Sequence, residues 1–292
     1  MESGGVAPNS AMVITWLIRG MWLGIALTLG PAVDALNAGL PTSVCSWLLW
    51  VAGAIALAVK STITLTVARI TVPTSVVFGV FGVVNDPRSV VTGIGMVLAC
   101  AATLATCSAP IGRSWVQASA YGAEDRFPLR PPLGFLIAST AMYLIVATLV
   151  TLALVYSADG RTVVSIVCAT LSVALLVLAI PRWHRLSIRW LVLVPVGVVV
   201  HDPLLLSETA MWKRHEVRSV ALAETTTEAA DLTGPSTGHA LEIVLQQMAT
   251  VVLNTGRRQP QGRAIHLKAA LIAPTRPGEA LAALRSRSAT LR

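Results

Sequence analysis

Ile63–Val84 reads ITLTVARITVPTSVVFGVFGVV, and how this stretch is read decides how often the chain crosses a membrane. At 1.5 Å per residue it is long enough to traverse roughly 30 Å of hydrocarbon. It also contains Arg69 and Pro73, a charge and a helix breaker inside an otherwise apolar run. Two readings follow: a span whose Arg69 snorkels to the nearer face, or a re-entrant segment that dips in and returns.

The surroundings favour a bilayer in either case. Only 12% of the 292 residues are charged, 54% are hydrophobic and the mean hydropathy is +0.71, against roughly 25% charge in soluble domains. Four further runs, Trp16–Leu36, Val90–Ala109, Leu133–Tyr156 and Thr162–Ile180, meet or approach the length of a span. Val44–Val59 is shorter, but Ser46 is its one clearly polar residue, so it counts as another.

Charge placement separates the two readings, because cytoplasmic loops carry the excess of Lys and Arg. With Ile63–Val84 spanning, six helices put both termini in the cytoplasm. Arg19, Lys60, Arg69, Arg113, Arg126 and Arg130 then share that side with Arg182, Arg185 and Arg189. Only Arg88 and Arg161 fall outside, where the turns carry Asp34, Asp86 and Asp159. A re-entrant segment would scatter the basic residues over both sides, so six spans are expected. The resulting fold class is an α-helical membrane domain over residues 1–180, in the cell membrane, followed by a small β-rich cytoplasmic domain over 181–292 with a C-terminal helix.

Other features narrow the chemistry. No basic residue precedes the first apolar run, which argues against a cleaved signal peptide, and Glu2 stands where myristoylation needs glycine. Cys45, Cys100, Cys107 and Cys168 lie in apolar runs without CxxC spacing, as small hydrophobes do. The spans lack the Asp, Glu or His relay of a proton-coupled path. Gly20 and Gly24 have GxxxG spacing, suited to close helix approach.

After Pro181 the pattern changes to short apolar runs between turn residues, as strands require. Arg189–Val194 and Val198–His201 flank Pro195-Val196-Gly197 as a hairpin. Thr209–Arg214, Val217–Leu222, Leu241–Leu245 and Thr250–Leu253 are further strands, with a polar loop from Leu222 to Leu241. Gly278–Arg287 forms a closing helix. Six or seven strands and one helix suit a partly open barrel plugged at one end.

That order resembles the pleckstrin-homology-like domains of bacterial membrane proteins. The whole chain is similar to a family of uncharacterised actinobacterial multi-pass membrane proteins, on TVPTSVVF, AYGAEDRFPLRPP, RWLVLVPVGVVVHDPLLL, ADLTGP and APTRPG. The resemblance implies architecture and location, and carries no activity with it.

Catalytic signatures such as GxSxG, a P-loop and HExxH are missing, and the five histidines form no metal-ligand spacing. The chain is therefore expected not to be an enzyme and to use no cofactor or metal. His201-Asp202, ahead of Pro203, reads as turn chemistry. The basic residues are too dispersed for nucleic acid.

Two groups of candidate residues remain. Ala120–Pro132 (AYGAEDRFPLRPP) is the one long loop between spans, and its Tyr121, Glu124, Asp125, Arg126, Phe127 and Arg130 are expected to dock the tail to the membrane. Glu124 or Asp125 would pair with Arg126, Arg182, Arg185 or Arg189. Lys213, Arg214, Arg257 and Arg258 are candidate contacts for anionic headgroups. The expected partners are the lipid bilayer and, at the β domain, a protein or anionic lipid headgroups. The function expected is a membrane-anchored binding or scaffold protein, with a transporter or channel component and a membrane enzyme of lipid or envelope metabolism as alternatives.

Overall fold

The structure, a computed structural model, describes residues 8–35, 40–256 and 261–289. It divides into a unit of residues 1–115 with 140–181 and a unit of residues 116–139 with 182–292.

The first unit is helical. α1 (Pro8–Ala35), α2 (Leu40–Ala58) and α3 (Thr62–Asn85) are each long and apolar enough to cross a membrane. So are α6 (Leu133–Ala158) and α7 (Thr162–Ser187), both of which run on into the second unit. Ile63–Val84 is thus part of one continuous helix. Its start is fixed by a capping box, in which Ser61 Oγ accepts from the Thr64 N–H and Thr64 Oγ1 accepts from the Ser61 N–H.

The expected span Val90–Ala109 corresponds to a helix that breaks near its C-terminal end. The helix breaks between α4 (Val90–Thr106) and α5 (Ala109–Gln117), which meet at a bend of 57°. Pro110 explains the break: it has no N–H to offer the Thr106 carbonyl, and its ring would clash with that carbonyl in a continuous helix. Among the described residues there are therefore five candidate spans, or six if the bent pair counts as one.

Small residues set the helix contacts. A Cβ on Gly95 would lie 2.6 Å from Leu29 and 2.7 Å from Thr28, so α1 and α4 approach as closely as glycine permits. Gly24 also faces α4, at Leu98, whereas Gly20 meets nothing within 4 Å, so the GxxxG pair is not one contact face inside this chain. In α6 only 6% of the most apolar window is buried, so Leu136, Ile137, Leu144 and Ile145 are exposed, as the side chains of a membrane span are.

The second unit is built from two sheets. β1 (Asp125–Pro128), β2 (Trp190–Val194), β3 (Gly197–His201) and β4 (Ala210–Lys213) form an antiparallel meander. β5 (Val217–Leu222), β7 (Leu241–Leu253), β8 (Arg263–Ile272) and the two-residue β6 (Ala230–Asp231) form the other, in the order β5-β7-β8-β6. α8 (Pro277–Ala289) packs on β5. The inner faces enclose one core, including Phe127, Leu191, Trp212, Ile243, Ile272 and Ala280.

Within residues 181–292 the strand assignments change in three places. The expected strands Leu241–Leu245 and Thr250–Leu253 are the two ends of β7, joined across a register shift between Val244 and Ala249. β8 was not expected, although Ile265, Leu267 and His266, Lys268 alternate inward and outward as strands require. β6 lies inside the supposed polar loop.

Candidate functional site

Ala120–Pro132 is not a free loop. Asp125–Pro128 is an edge strand, paired from Asp125↔Leu193 to Pro128↔Trp190, and α6 and α7 are inserted in the chain between these two paired strands. Gln117, the last residue of α5, holds its entry: Nε2 donates to the Glu124 carbonyl at 2.7 Å, and Oε1 accepts from the Arg126 N–H at 2.8 Å.

Each candidate in the stretch has a defined place. Glu124 pairs with Arg126 at 2.9 Å, and the Arg126 guanidinium lies 5.8 Å from the Tyr121 ring and 5.2 Å from that of Trp190. Asp125 pairs with Arg287 of α8 at 2.8 Å, a partner that was not among those expected. Phe127 is a core side chain. Arg130 Nη1 donates to the carbonyls of Thr237 and His239 at 2.8 and 3.1 Å.

Arg189 is likewise not a juxtamembrane surface charge. It forms a bidentate pair with Asp202 at 2.7 and 2.5 Å, and both side chains are only 1% exposed. Asp202 Oδ1 also accepts from the Leu204 and Leu205 N–H groups, and Arg189 Nη1 donates to the Arg130 carbonyl at 2.6 Å. His201 stacks on Trp190 with centroids 5.2 Å apart. Burial pulls its pKa below 6.5; Asp202 opposes this shift and Arg126 reinforces it.

A groove of about 160 Å³ opens between the β2–β3 turn, β5 and α8. Arg214, Arg218, Arg285 and Arg287 line it together with Pro195 and Ser219, and the lining contains no carboxylate. Arg287 is occupied by Asp125 and by the carbonyls of Leu193 and Ala123. Arg214 Nη2 is buried without a hydrogen-bond partner, a costly condition for a charged donor unless an acceptor binds there. The arrangement suits an anionic group.

Of the proposed headgroup contacts, Arg214 therefore lines the groove. The neighbouring Lys213 side chain is exposed, and its N–H donates to Glu216 at 2.8 Å. Arg257 and Arg258 lie outside the described residues. Sequence reasoning missed Arg218, Arg285 and Arg287, since only folding brings β5 and α8 together. Among the described residues no cluster of three or more His, Cys, Asp or Glu is placed to hold a metal. No protein-family model, curated protein or solved structure matches this chain.

Proposed function

We propose that this chain is a membrane-anchored binding or scaffold protein whose β unit receives an anionic group of a partner. The observation that carries this reading is the arginine groove, with its enclosed, unpartnered Arg214 Nη2 and no carboxylate in the lining. An apolar helix leads directly into the β unit, because α7 ends at Ser187 and β2 begins at Trp190. The groove lies at the Leu193–Gly197 end of the β2–β3 hairpin, where Arg214 and Arg218 are available to an anionic partner.

The reading includes a pleckstrin-homology-like β domain, supported by a four-stranded meander, a second sheet and one terminal helix. It also includes membership of the actinobacterial family on the motifs quoted above, and a cytoplasmic β unit on the charge bias of the loops. A reporter fused after Arg292 tests the orientation, with a cytoplasmic signal expected.

Affinity isolation of the intact protein in mild detergent tests the function. A partner that accompanies the parent and is lost from Arg214→Glu/Arg218→Glu supports it. An unchanged set of co-isolated molecules contradicts it.

A further inference from the structure

Five buried side-chain polar atoms among the described residues lack a hydrogen-bond partner; two of them, Thr106 Oγ1 and Ser108 Oγ, fall at the break between α4 and α5, and a third, Arg69 Nε, belongs to α3. Packing brings them together. Gly82 of α3 meets Thr92 of α4, and Gly79 meets Met96, so the two helices run antiparallel in register. Counting thirteen residues back from Gly82 reaches Arg69, and thirteen on from Thr92 reaches Ala105, one residue before Thr106. On the far side of the break a Cβ on Gly112 would lie 2.9 Å from Arg69 Nη2. Gly112 sits one turn beyond Ser108, to whose carbonyl its N–H donates.

Arg69 is thus lodged against the broken helix, and its expected snorkelling does not free Nε from enclosure. The titratable group that faces it is the free Cys107 thiol, in the break itself, and no described carboxylate acts on it. Asp86 is seventeen residues further along α3, about 26 Å at 1.5 Å per residue. Asp159 is sixteen residues beyond Tyr143, whose hydroxyl meets Thr74 of α3. A guanidinium stays protonated at neutral pH, and ionisable groups inside spans mark ion or ligand paths. Broken helices in membranes recur where polar ligands bind.

We infer that Arg69, Thr106 and Ser108 form a binding site for a single compact anionic acceptor within the helical unit. Arg69 Nε and the two hydroxyls are the three unsatisfied donors available to it. Chloride from water and the phosphodiester of an anionic lipid offer the same chemistry. This site is independent of the arginine groove and stands or falls separately from it.

The test is thermal unfolding of the intact protein in dodecyl maltoside, with chloride titrated against gluconate at constant ionic strength. The parent is expected to show a saturable rise in Tm, and Thr106→Val and Ser108→Ala each to raise the midpoint concentration at least fivefold. Thr148→Val, which removes a hydroxyl bonded to the Leu144 carbonyl on α6, leaves the midpoint unchanged. A rise produced by phosphatidylglycerol in gluconate, and weakened by the same two variants, identifies lipid as the source. A parent insensitive to both, or variants with parental midpoints, overturns the inference. These two substitutions keep the test independent of Arg69→Met, which removes the buried guanidinium outright.

Discussion

Arg189 and Asp202 close the open end of the β2–β3 hairpin, one just before its first strand and the other just after its second, in a bidentate pair shut away from solvent. Removing one partner leaves the other as an uncompensated buried charge, at a cost of about 3–5 kcal/mol. Asp202→Ala is therefore expected to destabilise the β unit severely. Replacing both partners with apolar residues, Arg189→Met/Asp202→Leu, is expected to cost far less than the single change. Thermal unfolding in detergent distinguishes these outcomes, and a double variant as unstable as the single one would refute the argument.

The contacts of Arg126 and Arg130 add to the β2 ladder and the buried Phe127 in holding β1 at the sheet edge. Arg126→Glu/Arg130→Glu replaces attraction to Glu124 with repulsion and removes two hydrogen bonds to the Thr237 and His239 carbonyls. The variant is expected to release β1 and expose Ala120–Pro132 to limited proteolysis. Protection equal to that of the parent would mean that these two side chains do not hold the strand.

His201 makes the β unit sensitive to acid. Its folded pKa is depressed below the unfolded value of 6.5, chiefly by burial against Trp190. The unfolded state therefore takes up the proton first as pH falls, and stability declines from about pH 6.5 towards the lower folded pKa. His201→Gln should flatten the dependence of Tm on pH across that window. An undiminished slope would assign the sensitivity to other groups.

The helical unit predicts a contrast between two glycines. Gly95→Leu would drive side-chain atoms into Leu29 and Thr28 and is expected to cost about 1–3 kcal/mol by overpacking. Gly20→Leu meets open space and should leave Tm within about a degree of the parent. Equal losses would contradict the packing of α1 on α4.

Much of the architecture is legible in the sequence because apolar length is a local signal. Runs such as Leu133–Tyr156 and Thr162–Ile180 announce their helices whatever surrounds them. The end of α4 is also written locally, in Pro110, beside the expected end of the span at Ala109. β1 was not legible: four residues find their partner across two inserted helices, with Pro128 and Trp190 separated by 62 positions. A pairing that distant leaves no periodicity in the strand itself. The candidate site follows the same rule. Arg214 stands out beside Lys213, whereas Arg218 and Arg287 become neighbours of the same groove only when α8 closes on β5. Asp202 read as a turn residue and does accept the turn's N–H groups, but its buried partner Arg189 looked like one of several juxtamembrane cations.

The claim that the groove receives an anionic partner is tested most directly by placing a photo-crosslinking amino acid at Ser219, inside the groove, and at Met248, an exposed residue in the register shift of β7. In intact cells the groove probe is predicted to give a defined adduct that disappears when Arg214→Glu/Arg218→Glu is added, while the Met248 probe gives none. The same adducts from both positions, or a groove adduct that survives the charge reversal, would contradict the account.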